Sequence, residues 1–304
     1  MSAPGQQTNA SYTGRFAPSP TGPLHAGSLI AALASFLDAR ARQGRWLVRM
    51  EDLDPPRESP EAAVEILRAL EILELHWDDE VLYQSQRHAA YQQALQELGS
   101  AGQLFPCTCT RQDIRDNEGV YPGTCRQQKL NVHDNPLADF AIRCKVADQD
   151  ITFTDQIQGE QHQNLHEECG DFIIKRKDGL FAYQLAVVVD DAFQGISHVI
   201  RGVDLLDSTA RQIHLQKLLG LQQPVYGHIP VIVNTEGQKL SKQHHAAPLD
   251  LSSPTLTLYK GLQYLQQALD PELQNSSPTE LLHWAIQHWN PANLKNRRQV
   301  DEHQ

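Results

Sequence analysis

The sequence predicts an α/β fold: a parallel sheet with crossover helices, split by an irregular insertion and followed by a small helical C-terminal unit. Three observations lead there. Strand and helix patterns alternate through residues 12–98, and successive parallel strands need such crossover helices. The rhythm lapses over residues 105–178, where Cys, Pro, Gly and Asn are scattered among short strands such as Phe140–Val146. It resumes after Phe181 with apolar runs typical of buried parallel strands.

The expected boundaries are a disordered lead-in at 1–11, a first half of the α/β domain at 12–104, the insertion at 105–178, a second half at 179–236, and a helical unit at 237–304. Residues 12–17 (YTGRFA) read as a strand running into the turn-rich Pro18-Ser19-Pro20-Thr21-Gly22-Pro23. Leu29, Ala32, Leu33, Phe36 and Leu37 then form one apolar stripe at helical spacing, with Ser28 as the expected N-cap. Trp46–Met50 reads as a strand ending on Glu51, Asp52 and Asp54. Ser59-Pro60-Glu61 opens a helix to about Leu75: a capping Ser, a Pro at the first helical position and an early acid. A helix over Arg87–Leu98 is expected to stop at Gly99. Beyond the insertion, Leu185–Val189 and Val225–Val233 read as buried strands, and Ser208–Leu219 as a helix closed by Gly220. From Leu256 onward the pattern is helical, with Leu281, Trp284, Ala285 and His288 on one face.

Composition excludes several classes. Apolar residues at 40% and charged residues at 21% suit a globular protein with a real core. No apolar run approaches the ~18 residues of a membrane span. The start MSAPGQQTNAS has neither the basic nor the apolar region of a secretory signal. Five Cys, an odd number, speak against a disulfide framework and for a reducing compartment, so a cytoplasmic protein, without membrane partners and acting as a monomer, is expected. The net charge of −11 argues against indiscriminate coating of a phosphate backbone. The charge is uneven, however. Windows 1–50 and 201–250 carry +4 and +1, whereas 51–100 and 151–200 carry −9 and −5, which leaves room for one specific nucleic acid on the positive side.

Two segments suggest phosphate chemistry. Pro20-Thr21-Gly22-Pro23-Leu24-His25-Ala26-Gly27-Ser28 lies between a strand and a helix, where small residues let a ligand approach backbone at the positive end of a helix. Lys239-Leu240-Ser241-Lys242 follows the last buried strand, and two Lys in a loop can neutralise charge developing on phosphate oxygens. Alone, each is an ordinary turn. Together, a His-x-Gly turn and a Lys-Leu-Ser-Lys loop resemble the paired signature of class I aminoacyl-tRNA synthetases. Arg15-Phe16-Ala17-Pro18-Ser19-Pro20-Thr21-Gly22, Arg49-Met50-Glu51-Asp52-Leu53-Asp54, Tyr183-Gln184-Leu185-Ala186-Val187-Val188-Val189-Asp190-Asp191 and His198-Val199-Ile200-Arg201-Gly202 resemble segments of the glutamyl-tRNA synthetases, in the same order.

That resemblance covers about residues 12–245 and implies a Rossmann-type class I synthetase fold and an ATP-dependent ligase. Glutamate would be bound by Arg15, Phe16, Ala17, Pro18, Ser19, Glu51, Tyr183 and Arg201: the two Arg for carboxylates, Glu51 with Tyr183 for the ammonium. ATP, with Mg²⁺, would be bound at His25, Gly27 and Lys242, and His25, Lys239 and Lys242 would stabilise the transition state. The chain departs from the pattern in Val203-Asp204-Leu205-Leu206 after Arg201-Gly202, and in Gln243 after Lys242. Only about 60 residues follow the lysine loop, fewer than the ~100–150 of a typical domain. The chain thus resembles the truncated paralogues of glutamyl-tRNA synthetase that join glutamate to queuosine in the anticodon of tRNA(Asp). A short glutamyl-tRNA synthetase charging a tRNA 3′ end is the alternative.

The insertion adds Cys107-Thr108-Cys109 and Cys125, three thiols able to define most of a tetrahedral Zn²⁺ site. Spacing leaves the fourth ligand open among Tyr121, Asp113, Glu118, His133 and Cys144; the resemblance implies Tyr121. The site would be structural, supporting a module too irregular for a core of its own. Cys144 and Cys169 are assigned to packing.

Overall fold

The computed structural model describes residues 12–128, 140–240 and 247–302. The lead-in, His133, and Ser241, Lys242 and Gln243 of the lysine loop lie outside the described residues. The central strands are β1 (Thr13–Phe16), β2 (Arg45–Met50) and the short β3 (Leu82–Tyr83), paired in parallel in that order. Helix α1 (Ala26–Ala41) makes the crossover from β1 to β2, and α2 (Pro60–Ile72) that from β2 to β3. In α1 the residues from Ile30 to Ala39 are buried on nearly every side, apart from Ala31. Its N-cap is His25, three residues earlier than the expected Ser28, because the ring Nδ1 accepts the Gly27 amide at 3.1 Å. Ser59 caps α2 as expected, accepting from Ala62 N at 3.1 Å.

Helix α3 (His88–Ser100) runs past Gly99 and leads into the insertion. There β4 (Leu104–Cys107) is followed by α4 (Arg111–Arg115), a short turn closed by a Thr110–Asp113 capping box. Strands β4, β5 (Ala141–Cys144) and β8 (Phe172–Lys175) form an antiparallel sheet, with the hairpin β6 (Asp150–Asp155) and β7 (Gly159–Asn164) and the one-turn α5 (Leu165–Glu168) between β5 and β8. In β6 buried and exposed residues alternate, the signature of a strand with one covered face.

The expected strand Leu185–Val189 is instead helix α6 (Tyr183–Phe193). Gln184–Val188 is buried without interruption, as are Asp190 and Asp191, so the run Leu185–Val189 shows no apolar and polar alternation of its own to mark a helix. Burial overrides the strand preference of Val187-Val188-Val189. The next parallel strand is β9 (His198–Gly202); the amide of Ser197 just before it donates to Thr13 O at 2.9 Å, placing β9 beside β1. Helix α7 (Thr209–Leu218) returns to β10 (Val225–Ile229), parallel to β9. The expected single strand over Val225–Val233 breaks at Pro230, which lacks the amide a central strand needs. Beyond it β11 (Val231–Val233) pairs in parallel with the final β12 (Gln299–Asp301). Helices α8 (Pro254–Tyr264) and α9 (Pro278–His288) pack their Leu258, Leu262, Leu281 and Ala285 into the same core as Leu29, Leu33 and Leu37 of α1. No helix among the described residues is long and apolar enough to cross a membrane.

Candidate active site and metal centre

A cleft of about 220 Å³ opens at the carboxyl ends of β1, β2, β9 and β10, where open α/β sheets bind ligands. Arg15, Phe16, Ala17, His25, Gly27, Glu51, Tyr183, Arg201 and Lys239 all line it, although they span more than 220 positions of the chain. Pro18 and Ser19 do not line it. Ser19 is exposed, and Pro18 contributes its carbonyl, which accepts the Glu51 amide at 2.9 Å and ties the ends of β1 and β2 together.

The floor is an ion network. Arg15 Nε donates to Asp191 at 3.2 Å, and Arg49, fully buried, donates to Asp191 at 2.7 Å and to Glu51 at 3.1 Å. Burial would raise the Asp191 carboxyl, but Arg15 and Arg49 outweigh it and hold the group below the usual carboxylate range. Glu51 is pushed the other way: burial raises its carboxyl despite Arg49 and Arg15. A ligand ammonium beside it would favour the charged form, so binding a cation and ionising Glu51 are linked.

Arg201 is different. It is 4% exposed, and no carboxylate among the described residues forms an ion pair with it. It donates from Nε to His228 at 2.9 Å, from Nη1 to Tyr183 Oη at 3.2 Å, and from Nη2 to Thr209 Oγ1 at 2.9 Å. A buried guanidinium held only by neutral groups at the wall of a cleft calls for a carboxylate ligand. At the mouth, Lys239 Nζ reaches Asp204 at 2.6 Å, and Leu240 N donates to Ile232 O, fastening the start of the lysine loop against β11. Gly27 is needed beside His25: a Cβ there would lie 3.0 Å from the imidazole Cε1.

The second centre is in the insertion. Sγ of Cys107, Cys109 and Cys125 lie within 4.8 Å of one another, and Cys109 and Cys125 are 3.7 Å apart. With Zn–S bonds of ~2.3 Å, a tetrahedral edge is roughly 3.8 Å, so the spacing fits zinc. Tyr121 Oη is 3.7 Å from Cys107 Sγ and accepts the Cys125 amide at 2.8 Å; burial raises the phenol well above its ordinary value despite that bond. Arg143 donates to Cys107 Sγ at 3.2 Å and stacks 4.0 Å from the Tyr121 ring centroid, setting a positive charge beside the anionic donors. The other described candidates are placed elsewhere: Asp113 caps α4, Cys144 is buried in the apolar core with Leu104 and Phe172, and Glu118 is exposed on the turn after α4.

Residues 12–273 match the family model described as tRNA synthetases class I (E and Q), catalytic domain. The chain is 50% identical over 295 residues to a glutamyl-Q tRNA(Asp) synthetase of Pseudomonas putida, covering 97% of both chains, and 50% identical over 296 residues to that of Ectopseudomonas mendocina, covering 97% of this chain and 99% of the relative. The chain belongs to the glutamyl-Q tRNA(Asp) synthetase family. Among solved structures it is similar to a glutamate tRNA ligase of Elizabethkingia meningosepticum (23% identity, TM-score 0.77, 95% of this chain and 67% of that one) and to a glutamate-tRNA synthetase of Elizabethkingia anophelis (23% identity, TM-score 0.78, 96% and 68%). At that identity the likeness speaks for the fold alone.

Within this glutamyl-Q tRNA(Asp) synthetase family member, sequence reading had missed three groups at the cleft. Arg49 and Asp191 stand inside the recognised segments but carry no visible role until the fold brings them together. His228, buried completely on β10, is the third; a His amid apolar residues at a strand end, Gly227-His228-Ile229, was the available signal.

Proposed function

We propose that this ligase activates glutamate with ATP and transfers it to the queuosine base in the anticodon of tRNA(Asp). The observation that carries the amino-acid assignment is the charge set of the cleft: Arg201, lacking an internal carboxylate partner among the described residues, Arg15, and the carboxylate Glu51. Glutamate offers two carboxylates and one ammonium, the complement of that set. Arg201, whose Nη2 also donates to Leu205 O at 3.3 Å, takes one carboxylate through the Nη1 hydrogen that Tyr183 leaves free. Arg15, with Nε and Nη2 held by Asp191, turns Nη1 to the other. Glu51 and the Tyr183 hydroxyl receive the ammonium. Ala17, Phe16, Pro18 and Ser19 shape the segment that carries Arg15. The tRNA assignment rests on relatives that share half their residues with this chain over nearly its whole length.

The α-carboxylate attacks the α-phosphorus of ATP in line, releasing pyrophosphate and leaving glutamyl-adenylate. His25, Gly27 and the lysine loop, Lys239 and Lys242, receive the phosphates, and positioning with charge neutralisation supplies the catalysis. Mg²⁺, entering with ATP as part of the co-substrate, would supply further neutralisation of phosphate charge. A hydroxyl of the queuosine ring then attacks the adenylate carbonyl, and AMP leaves. Zn²⁺, held by Cys107, Cys109, Tyr121 and Cys125, would serve structure by joining the end of β4 to the turn at 121–125. The chain works in the cytoplasm, as a monomer.

Amino-acid-dependent exchange of pyrophosphate into ATP, with tRNA present, tests the activation step. Glutamate should support exchange and glutamine should not, and Arg201→Ala should raise the KM for glutamate far more than that for ATP. Exchange supported equally by glutamine, or equal effects of Arg201→Ala on both substrates, contradicts the assignment.

A further inference from the structure

Behind the wall of the cleft lies a chain of buried groups that connects the insertion to the amino-acid site. Asp155 ends β6 in the insertion. Its Oδ1 accepts three amides: Ile157 at 3.0 Å, Gln158 at 2.8 Å and His228 at 3.0 Å. Its Oδ2 is 2.6 Å from His228 Nδ1, and His228 Nε2 is 2.9 Å from Arg201 Nε. The side chains of Asp155 and His228 are both wholly inaccessible to solvent. No water can therefore replace a bond lost here.

Donor rules fix the protons. An arginine nitrogen only donates, so His228 Nε2 must accept; a carboxylate only accepts, so Nδ1 must carry the hydrogen. We propose that Asp155 and His228 are positioning residues for substrate binding: Asp155 locks His228 in the Nδ1-protonated tautomer, and the ring then aims the Arg201 fork at the ligand carboxylate. The assignment rests on the reading of Arg201 as a glutamate-binding residue. Burial, and Arg201 itself, oppose a second proton on the ring and drive His228 down to about 4, so it stays neutral and able to accept. Thr209 Oγ1, which takes Arg201 Nη2, also lies 3.3 Å from Nε2 and completes the cradle.

The decisive variant is Asp155→Asn. Three amides would hold the new carbonyl oxygen where Oδ1 now sits, turning the NH₂ group toward Nδ1. That nitrogen must then accept, the proton moves to Nε2, and two donors meet at the 2.9 Å gap to Arg201. With size and backbone contacts conserved, the KM for glutamate in pyrophosphate exchange should rise about tenfold or more, the scale of one buried donor left unpaired, while the KM for ATP stays within about twofold. An unchanged glutamate KM, or equal rises for both substrates, overturns the inference. Nitrogen NMR of the wild-type ring serves if the variant does not fold: Nδ1–H with a bare Nε2 is expected, and an Nε2–H ring overturns the inference. The two readings fail separately. If wild-type protein gives no glutamate-dependent exchange, the substrate assignment is lost; if it exchanges normally while Asp155→Asn retains its glutamate KM, only the positioning role is.

Discussion

At the residue scale, the site is a problem in placing charge where water cannot reach. Arg15, Arg49, Glu51 and Asp191 form one buried ion network, whereas Arg201 has no carboxylate partner among the described residues. The same burial predicts a pH response. His228 falls from its ordinary 6.5 to about 4, and burial also lowers His198 and His214. Below pH 6.5 the unfolded chain takes up protons that the folded rings refuse, so the stability they contribute is complete above 6.5 and is lost as pH falls toward 4. For His228 alone the loss is on the order of 3 kcal/mol at roughly 1.4 kcal/mol per unit. Denaturant unfolding from about pH 7 to pH 4 should show a steadily declining free energy; a flat profile contradicts the buried neutral rings. Most of the cleft-lining residues singled out from the sequence stand in short contiguous motifs. The His228–Asp155 pair was not legible, since its members lie 73 positions apart and meet only through the packing of the insertion hairpin on β10.

At the element scale, order came through and buried elements did not. Helices with one wet face, such as α2, were readable from their stripe and caps. Helix α6 buries Gln184–Val188 without a break, and that run of the sequence reads as a strand for that reason. In the insertion the three clustered thiols were readable, but the β6–β7 hairpin was not, and the corner that holds the thiols takes its shape from the fold. That corner depends on Gly170, which has φ +65° and whose absent Cβ would lie 2.7 Å from Tyr121 O; the Tyr121 amide in turn donates to Cys169 O. Gly170→Ala imposes a left-handed conformation costing about 1 kcal/mol and a clash with the backbone of Tyr121. Zinc loss to a chelator should therefore be markedly faster in Gly170→Ala than in wild type, followed by metal analysis. Equal retention would show that Tyr121 is not part of the metal shell.

At the scale of the whole molecule, two halves of a parallel sheet come together around β1 and β9, and the insertion packs back on the second half rather than standing apart: Phe153, Phe172 and Ile174 share a core with Leu185, Val199 and Tyr226. A net charge of −11 is compatible with a tRNA partner because the cationic residues of the cleft and the lysine loop lie in the windows of positive sum. The chain spans 97% of the curated relatives it matches and about two thirds of the two glutamate-tRNA synthetase structures, and its residues 12–273 match the catalytic-domain model. What sets this account apart from an ordinary charging enzyme is where the glutamate ends up. The direct measurement is to supply labelled glutamate and ATP with tRNA(Asp) carrying or lacking queuosine, then cut the RNA with a ribonuclease and locate the label. Label on the anticodon fragment, only when queuosine is present, is the predicted result; label on the 3′-terminal nucleoside, or labelling independent of queuosine, would contradict it.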